Sequence, residues 1–253
     1  MDVTLTHGLL LLFTGFLAGI INTLAGGGSN LTLPALMVMG MPAEVANATN
    51  RVGVVVQSLT AVVGFKRHGK LDGGDTGPIL LPTIIGGFIG AAGAAYAPSD
   101  IIKPLLLGTM LTMALIILVK PAMISPALGT EVKKVSQTPS SWVWLTIAGI
   151  YGGFVQAGVG FVLLAALAGS LRYDLVRANA LKVLCSLVFT LASLVVFIAE
   201  DLILWLPGLI LAAGTLVGAH IAVKMAIKVS PNALKWFLFI MTLCGSAAAM
   251  LSE

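Results

Sequence analysis

Charge is what this sequence lacks most. Of its 253 residues only 9% are Asp, Glu, Lys or Arg, against roughly 25% in soluble domains. That deficit excludes an ordinary water-soluble fold. It also excludes the dense basic surface that nucleic-acid binding needs, because the net charge of +4 is spread thinly along the chain. Cysteine is scarce as well: Cys185 and Cys244 both fall in apolar stretches, so neither a disulfide framework nor a Cys/His metal cluster is expected. Long polar segments are missing; the longest, 120–141, leaves no room for a soluble domain. The opening MDVTLTHGLLLLFTGFLAG carries an acid at Asp2 and no positive n-region, so it reads as a first membrane helix rather than a cleaved leader.

What is present is apolar length. Hydrophobic residues make up 58% of the chain, and nearly uncharged runs recur at 76–97, 101–119, 175–199, 202–223 and 232–251. Each is long enough to cross a hydrocarbon core of roughly 30 Å. The fold class expected is an all-α polytopic membrane protein with about eight to ten membrane segments; short alternating stretches, the mark of a β-barrel, are not seen.

Glycine spacing reveals two halves. GFLAGIINTLAGGGS from Gly15 resembles GIYGGFVQAGVGF from Gly149: each has G-x-x-x-G, then an amide three residues on (Asn22, Gln156), then a glycine cluster. ANATNRV at 46–52 resembles ANALKVL at 178–184. The offsets are 134 and 132 residues, in the same order. The organisation expected is a first transmembrane repeat over 1–120, a cytoplasmic linker over 121–141 and a second repeat over 142–253.

Basic residues decide the relative orientation. If 8–40 and 142–171 each crossed once, the loop Lys and Arg would divide six against six. If each goes in and returns as a hairpin, one side holds Lys66, Arg67, Lys70, Lys120, Lys133, Lys134, Arg172, Arg177, Lys224, Lys228 and Lys235, and the other only Lys103. By the positive-inside rule the hairpin arrangement prevails. It inverts the second half and places both termini outside the cytoplasm. Ten helices, five in each half, and six full spans with two re-entrant hairpins share this parity. Because 31–39 and 161–169 are short for full spans, an arrangement between the two, with half-helices near the centre, is expected. Inverted repeats with broken helices are a secondary-transporter architecture, with the substrate held near the midplane.

A helix break in lipid leaves backbone groups unpaired, at several kcal/mol each, unless protein or a water-filled cavity satisfies them. The first break, Gly26-Gly27-Gly28-Ser29, is expected to bring a ligand near the backbone, with Ser29 as N-cap of a helix running to about Gly40. That helix start is an anion cradle, and Gly158 and Gly160 would supply its counterpart from the opposite face. Gly15, Gly19, Gly86, Gly87 and Gly90 are assigned instead to close helix packing. Arg51 and Lys182 each lie roughly 10 Å into a helix at 1.5 Å per residue, with no Asp or Glu at comparable depth. A bound anion would balance them; snorkelling, or bonds to the carbonyls of the broken helices, is the competing explanation. Asn22, Asn47, Thr49, Asn50, Gln156 and Asn179 complete the candidate substrate site, and Gln57 is a further buried amide.

The stretch GFLAGIINTLAGGGSNLTLPALMVMGMPAEVANATN at 15–50 resembles the TauE/SafE membrane proteins, which include sulfite and organosulfonate exporters. Pro34 and Ala46, Ala48, Thr49 and Asn50 match that family's pattern, and KRHGKLD at 66–72 resembles its first cytoplasmic loop. ANALK at 178–182 departs from it, with Lys182 at the position matching Asn50. The resemblance implies a multi-pass protein of the bacterial inner membrane that exports a small anionic sulfur compound such as sulfite or a sulfonate.

The function expected is therefore a secondary transporter working by alternating access, with a passive anion channel as the alternative. No phosphate-binding loop is present, since GFIGAAG lacks the Lys-Ser/Thr, so gradients or membrane potential supply the energy and no cofactor is expected. Ser29 and His220 invite a nucleophile–base pairing, but no G-x-S-x-G elbow accompanies Ser29, and an enzyme is not expected.

Overall fold

The computed structural model describes residues 4–24, 26–71, 76–98 and 131–228, together with 101, 102, 104, 105 and 108. Eight helices are numbered here in chain order. They are α1 (Leu5–Leu24), α2 (Ser29–Val38), α3 (Ala43–Arg67), α4 (Thr76–Tyr96), α5 (Pro139–Phe154), α6 (Val159–Leu164), α7 (Leu175–Ala199) and α8 (Trp205–Lys228). A π-helical turn, Ala165–Ser170, continues α6. No strand occurs among the described residues. Four of the helices, α1, α4, α7 and α8, are long and apolar enough to cross a membrane. The chain is a polytopic α-helical membrane protein. The expected spans at 101–119 and 232–251, Cys244 and most of the linker lie outside the described residues.

Small residues decide which helices pair. With lipid on every side there is little hydrophobic drive between helices, so close backbone approach and dispersion do the packing. On α1, a Cβ at Gly15 would stand 2.6 Å from Leu211 O, and one at Gly19 2.9 Å from Thr215 Cα. On α8, Gly214 presses on Phe16 and Gly218 on Ile20. The contacts climb both helices together, so α1 and α8 run side by side in the same direction. The pair α4–α5 repeats the device: Gly149 meets Thr83 O at 2.5 Å, Gly90 meets Phe154 N at 2.8 Å, and Gly153 meets Ala91 N at 3.0 Å. Gly87 packs against Phe189 of α7. The glycines assigned to packing do pack. Among the described residues, α1 thus pairs with α8 and α4 with α5, each pair running in the same direction.

Gly90→Ala would drive a methyl into Ile150 O, which is backbone and has nowhere to go. We expect it to cost about 1–3 kcal/mol, the usual penalty of overpacking. Gly77→Ala, on the same helix but with nothing within 4 Å, should be neutral or slightly stabilising. Thermal unfolding in detergent compares the two; equal midpoints would show that α4 and α5 do not touch at Gly90.

The short helices return toward the side they came from. Leu36, Met39 and Met41, at the end of α2, share a buried cluster with Leu11 near the start of α1 and Leu211 near the start of α8. At the second break Lys133 N donates to Leu171 O at 2.9 Å, which brings the end of the α6 segment back beside the approach to α5. The expected half-helix at 31–39 is α2, starting two residues earlier, and that at 161–169 is α6 with its π turn.

Candidate functional site

Both breaks end a helix in the bundle interior, and each leaves C-terminal carbonyls that need donors. At the second break the donors come from α3 of the other half. The Arg51 guanidinium donates through Nη1 to Gly152 O at 2.5 Å and to Gln156 Oε1. Through Nη2 it donates to Gly153 O at 2.8 Å, Phe154 O at 3.4 Å and Asn47 Oδ1 at 3.3 Å. Asn47, one turn earlier on α3, adds a 2.7 Å bond from Nδ2 to Phe154 O. At the first break the donor comes from α7: Lys182 Nζ donates to Thr23 O at 3.1 Å and to Asn179 Oδ1 at 2.8 Å. The arrangement is reciprocal. Arg51 of α3 caps the end of α5 and Lys182 of α7 caps the end of α1, where the macrodipole of each helix is negative.

Arg51 is 0% exposed and Lys182 1%. Charges this deep normally have counter-charges. Here the groups bonded to them are carbonyl and amide oxygens, and no carboxylate pairs with either among the described residues. Phe197 adds its ring face 5.5 Å from the Arg51 guanidinium carbon, a cation–π contact that carries no formal charge. Arg51 Nε and Asn179 Nδ2, on or beside the two cations, are among the six buried polar side-chain atoms that have no partner among the described residues.

The breaks touch. Gly160 N donates weakly to Gly26 O at 3.4 Å, and a Cβ on Gly26 would overlap Gly160 Cα and stand 2.9 Å from Gly160 N. Gly26 (φ 97°) and Gly158 (φ 72°, preceding α6) both adopt the left-handed region, where a side chain is strained. Gln156 is there too, at φ 67°, held by bonds to its Oε1 from Arg51 and from Thr190 Oγ1 at 3.3 Å. Between the breaks lies a cavity of about 10 Å³ lined by Asn22, Gly26, Gln156 and Gly160, with Val54 and Gln57 of α3 and Val183 and Ser186 of α7. That is space for about one water and too little for sulfite.

Ser29 is not the cap of α2. Gly28 holds that position without a side-chain cap bond; the Gly28 N–H is taken by Asn22 Oδ1 at 2.8 Å, six residues back across the break. Ser29 Oγ accepts from Asn50 Nδ2 at 3.1 Å, and Asn50 Oδ1 accepts from Thr32 Oγ1 at 2.7 Å, so Asn50 ties α3 to the start of α2. The cradle at this helix start is therefore partly filled by the protein's own side chains. A Cβ on Gly27 would meet the Phe161 ring at 3.2 Å. Thr49 is not brought to the breaks: its Oγ1 accepts from Leu204 N at 3.0 Å, fastening α3 to the approach to α8. Ser29 and His220 are not paired, since His220 lines a different groove. Among the described residues no group of three or more His, Cys, Asp or Glu could hold a metal.

Residues 11–249 match the family described as "Sulfite exporter TauE/SafE". The chain belongs to the TauE/SafE family. A "Probable membrane transporter protein" of Haemophilus influenzae is 28% identical over 244 residues, covering 96% of this chain and 94% of that one. The "Probable membrane transporter protein YfcA" of Escherichia coli K12 is 26% identical, covering 94% and 87%. The "Probable membrane transporter protein ORF9" of Sinorhizobium sp is also 26% identical, covering 94% and 90%. With its apolar helices, this makes the TauE/SafE chain a multi-pass membrane protein similar over nearly its whole length to probable transporters.

Several residues of the TauE/SafE chain's central cluster escape motif reading. Thr23 supplies a carbonyl to Lys182 and its Oγ1 accepts from Gln57 Nε2 at 3.2 Å; Val54, Val183 and Ser186 line the cavity. The signal that finds them is helical spacing. On α3, Val54 lies four residues beyond Asn50 and three beyond Arg51, and Gln57 lies three beyond Val54, so they share a face. On α7, Val183 and Ser186 lie four residues beyond Asn179 and Lys182 respectively.

Proposed function

We propose that this protein exports small sulfur-containing anions such as sulfite or organosulfonates, by alternating access about the point where the two breaks meet. The observation that carries the reading is the uncompensated positive charge there: two fully buried cations with only neutral oxygens around them, and an unfilled buried donor from each half. An oxyanion offers acceptor oxygens and the missing charge together. Asn22, Gly26, Gln156 and Gly160, which line the cavity, would touch it first. Arg51, Lys182, Asn47 and Asn179 would set the charge around it. Gly27, Gly28, Ser29, Asn50 and Gly158 would shape the breaks, while Thr49 would act at a distance through the position of α3.

The contact between Gly26 and Gly160 favours alternating access over a passive pore, because the breaks close on each other instead of flanking an opening. The two halves, 1–120 and 142–253, would be inverted repeats joined by the cytoplasmic linker. Support comes from the cross-pairing α1–α8 and α4–α5, each in the same direction, and from Arg67 and Lys224 sharing one end of the bundle. On this reading the termini face away from the cytoplasm of the inner membrane, substrate movement is driven by gradients, and the protein performs no chemistry on its cargo.

Purified protein is expected to gain thermal stability from sulfite, thiosulfate or a small sulfonate and not from a carboxylate control. At an anion concentration of one hundred times Kd the gain is about 2.7 kcal/mol. Stabilisation by none of them at millimolar concentration would sink the anion site. Equal stabilisation by the carboxylate would remove the sulfur selectivity.

A further inference from the structure

A second cavity lies away from the breaks, between the ends of α3 and α8. It measures about 360 Å³ and is lined by Leu59, Thr60, Val63, Gly64 and Arg67 of α3 with His68 just beyond its end, and by Leu216, His220, Val223 and Lys224 of α8. That is within the roughly 300–1,000 Å³ of small-molecule sites. Its floor forms because Gly64 lets α8 come close: a Cβ there would meet Val223 Cγ1 at 2.9 Å. From Leu59 to Arg67 and from Leu216 to Lys224 the groove extends eight residues along each helix, about 12 Å at 1.5 Å per residue.

Its chemistry is graded along that length. The inner end presents Leu59, Val63 and Leu216, all exposed and apolar. The outer end presents Arg67 and Lys224, both exposed, with His68 and His220 beside them. His68 Nδ1 donates back to Gly64 O at 2.8 Å, which leaves its Nε2 turned to other partners. No carboxylate lines the groove, so neither basic group meets a counter-charge within it. Arg67 is the last residue of α3, and Lys224 lies near the end of the apolar stretch Trp205–Ile227. The basic end therefore sits where a membrane crossing ends, at headgroup level, and the apolar end points into hydrocarbon.

We propose that this groove holds an anionic phospholipid, its phosphate between Arg67 and Lys224 and the upper part of an acyl chain along Leu59, Val63 and Leu216. Basic pockets between membrane helices suit lipid headgroups, and long basic side chains at helix ends reach the interface readily. The occupant bridges α3, which carries Arg51, and α8, which pairs with α1. A lipid seated there would fasten together two helices that come from different halves.

The test uses full-length protein, delipidated in detergent and titrated with phosphatidylglycerol, phosphatidylcholine or inorganic phosphate. Lipid adducts are read by native mass spectrometry, with thermal midpoints in parallel. Phosphatidylglycerol is expected to bind and to raise the midpoint, with phosphatidylcholine and phosphate doing neither. The double variant Arg67→Gln/Lys224→Gln should weaken phosphatidylglycerol binding roughly 30-fold, from about 1 kcal/mol for each basic group at a membrane surface and tenfold per 1.4 kcal/mol. Both side chains are exposed, so the double variant keeps its packing. Lys133→Gln/Lys134→Gln removes the same charge from residues outside the groove and should bind as wild type. Equal loss in both double variants would reduce the effect to general surface charge and overturn the proposal. So would stabilisation by phosphate alone, or dissociation of a dimer by Arg67→Gln/Lys224→Gln, which would put a second copy of the chain in the groove.

Discussion

Arg51→Gln is expected to reduce transport roughly a hundredfold and to lower thermal stability together with it. The guanidinium serves Gly152 O, Gly153 O, Phe154 O, Gln156 and Asn47 at once. Glutamine is too short to reach all of them and carries no charge. Each carbonyl left dry and unpaired costs about 1–3 kcal/mol, and the substitution strands several of them at once. Arg51→Lys separates the two roles. It keeps the positive charge but loses the planar fork that holds several oxygens, so it should recover anion binding while remaining less stable than wild type. Uptake of labelled sulfite into proteoliposomes, read with thermal midpoints of the same preparations, distinguishes the outcomes. Wild-type uptake by Arg51→Gln would remove Arg51 from the site. Loss of uptake in both variants with unaltered midpoints would make the fork, and not the charge, the essential feature.

The second large effect falls on Gly26. Gly26→Ala meets two obstacles, a backbone at φ 97° and the Cα of Gly160. Left-handed conformation costs a non-glycine residue about 1–2 kcal/mol, and overlap with an immovable backbone brings the total above roughly 4 kcal/mol, in the range reserved for severe packing faults. Gly40→Ala is the matched control: φ is 90°, but nothing lies within 4 Å, so only the conformational cost remains. The expected result is that Gly40→Ala elutes as a monodisperse peak with a slightly lowered midpoint, while Gly26→Ala is poorly folded or aggregated. Equal behaviour of the two would mean that the breaks stand apart in the resting protein. The closed geometry between Gly26 and Gly160 would then have no role in occlusion.

The two breaks were legible in the sequence because glycine clusters and the amides Asn22 and Gln156 recur in step, and because a Lys or Arg deep in an apolar chain draws attention by its cost. That Arg51 and Lys182 bond to carbonyls of the broken helices was one of the explanations the sequence allowed, and the structure shows those bonds; which carbonyls they are was not legible. Their partners are backbone carbonyls, which every residue carries, and which of them lack a helical partner depends on where the opposite half ends its helix. For the same reason Ser29 looked like a cap: a serine before a helix satisfies the local rule, and only the fold reveals Asn22 reaching across the break to take the Gly28 N–H. Gly26 presents the opposite case. Three consecutive glycines announce a special backbone, but Gly160, whose backbone crowds Gly26, lies 134 residues away. The α3 helix shows the limit of hydropathy. Its 25 residues include Asn47, Asn50, Arg51 and Gln57 on a buried face, so it is less apolar than its neighbours even though it runs the length of α8.

The crossed capping also bears on how the chain is made. Arg51 leaves the ribosome about 100 residues before the Gly152 and Gly153 carbonyls that will receive it, and Thr23 waits still longer for Lys182. During synthesis α3 thus offers the insertion machinery a cation with no acceptor, and the end of α1 offers acceptors with no cation. Neither set of bonds can form until α5 and α7, respectively, have emerged, so the capping of both breaks is among the last contacts the chain completes.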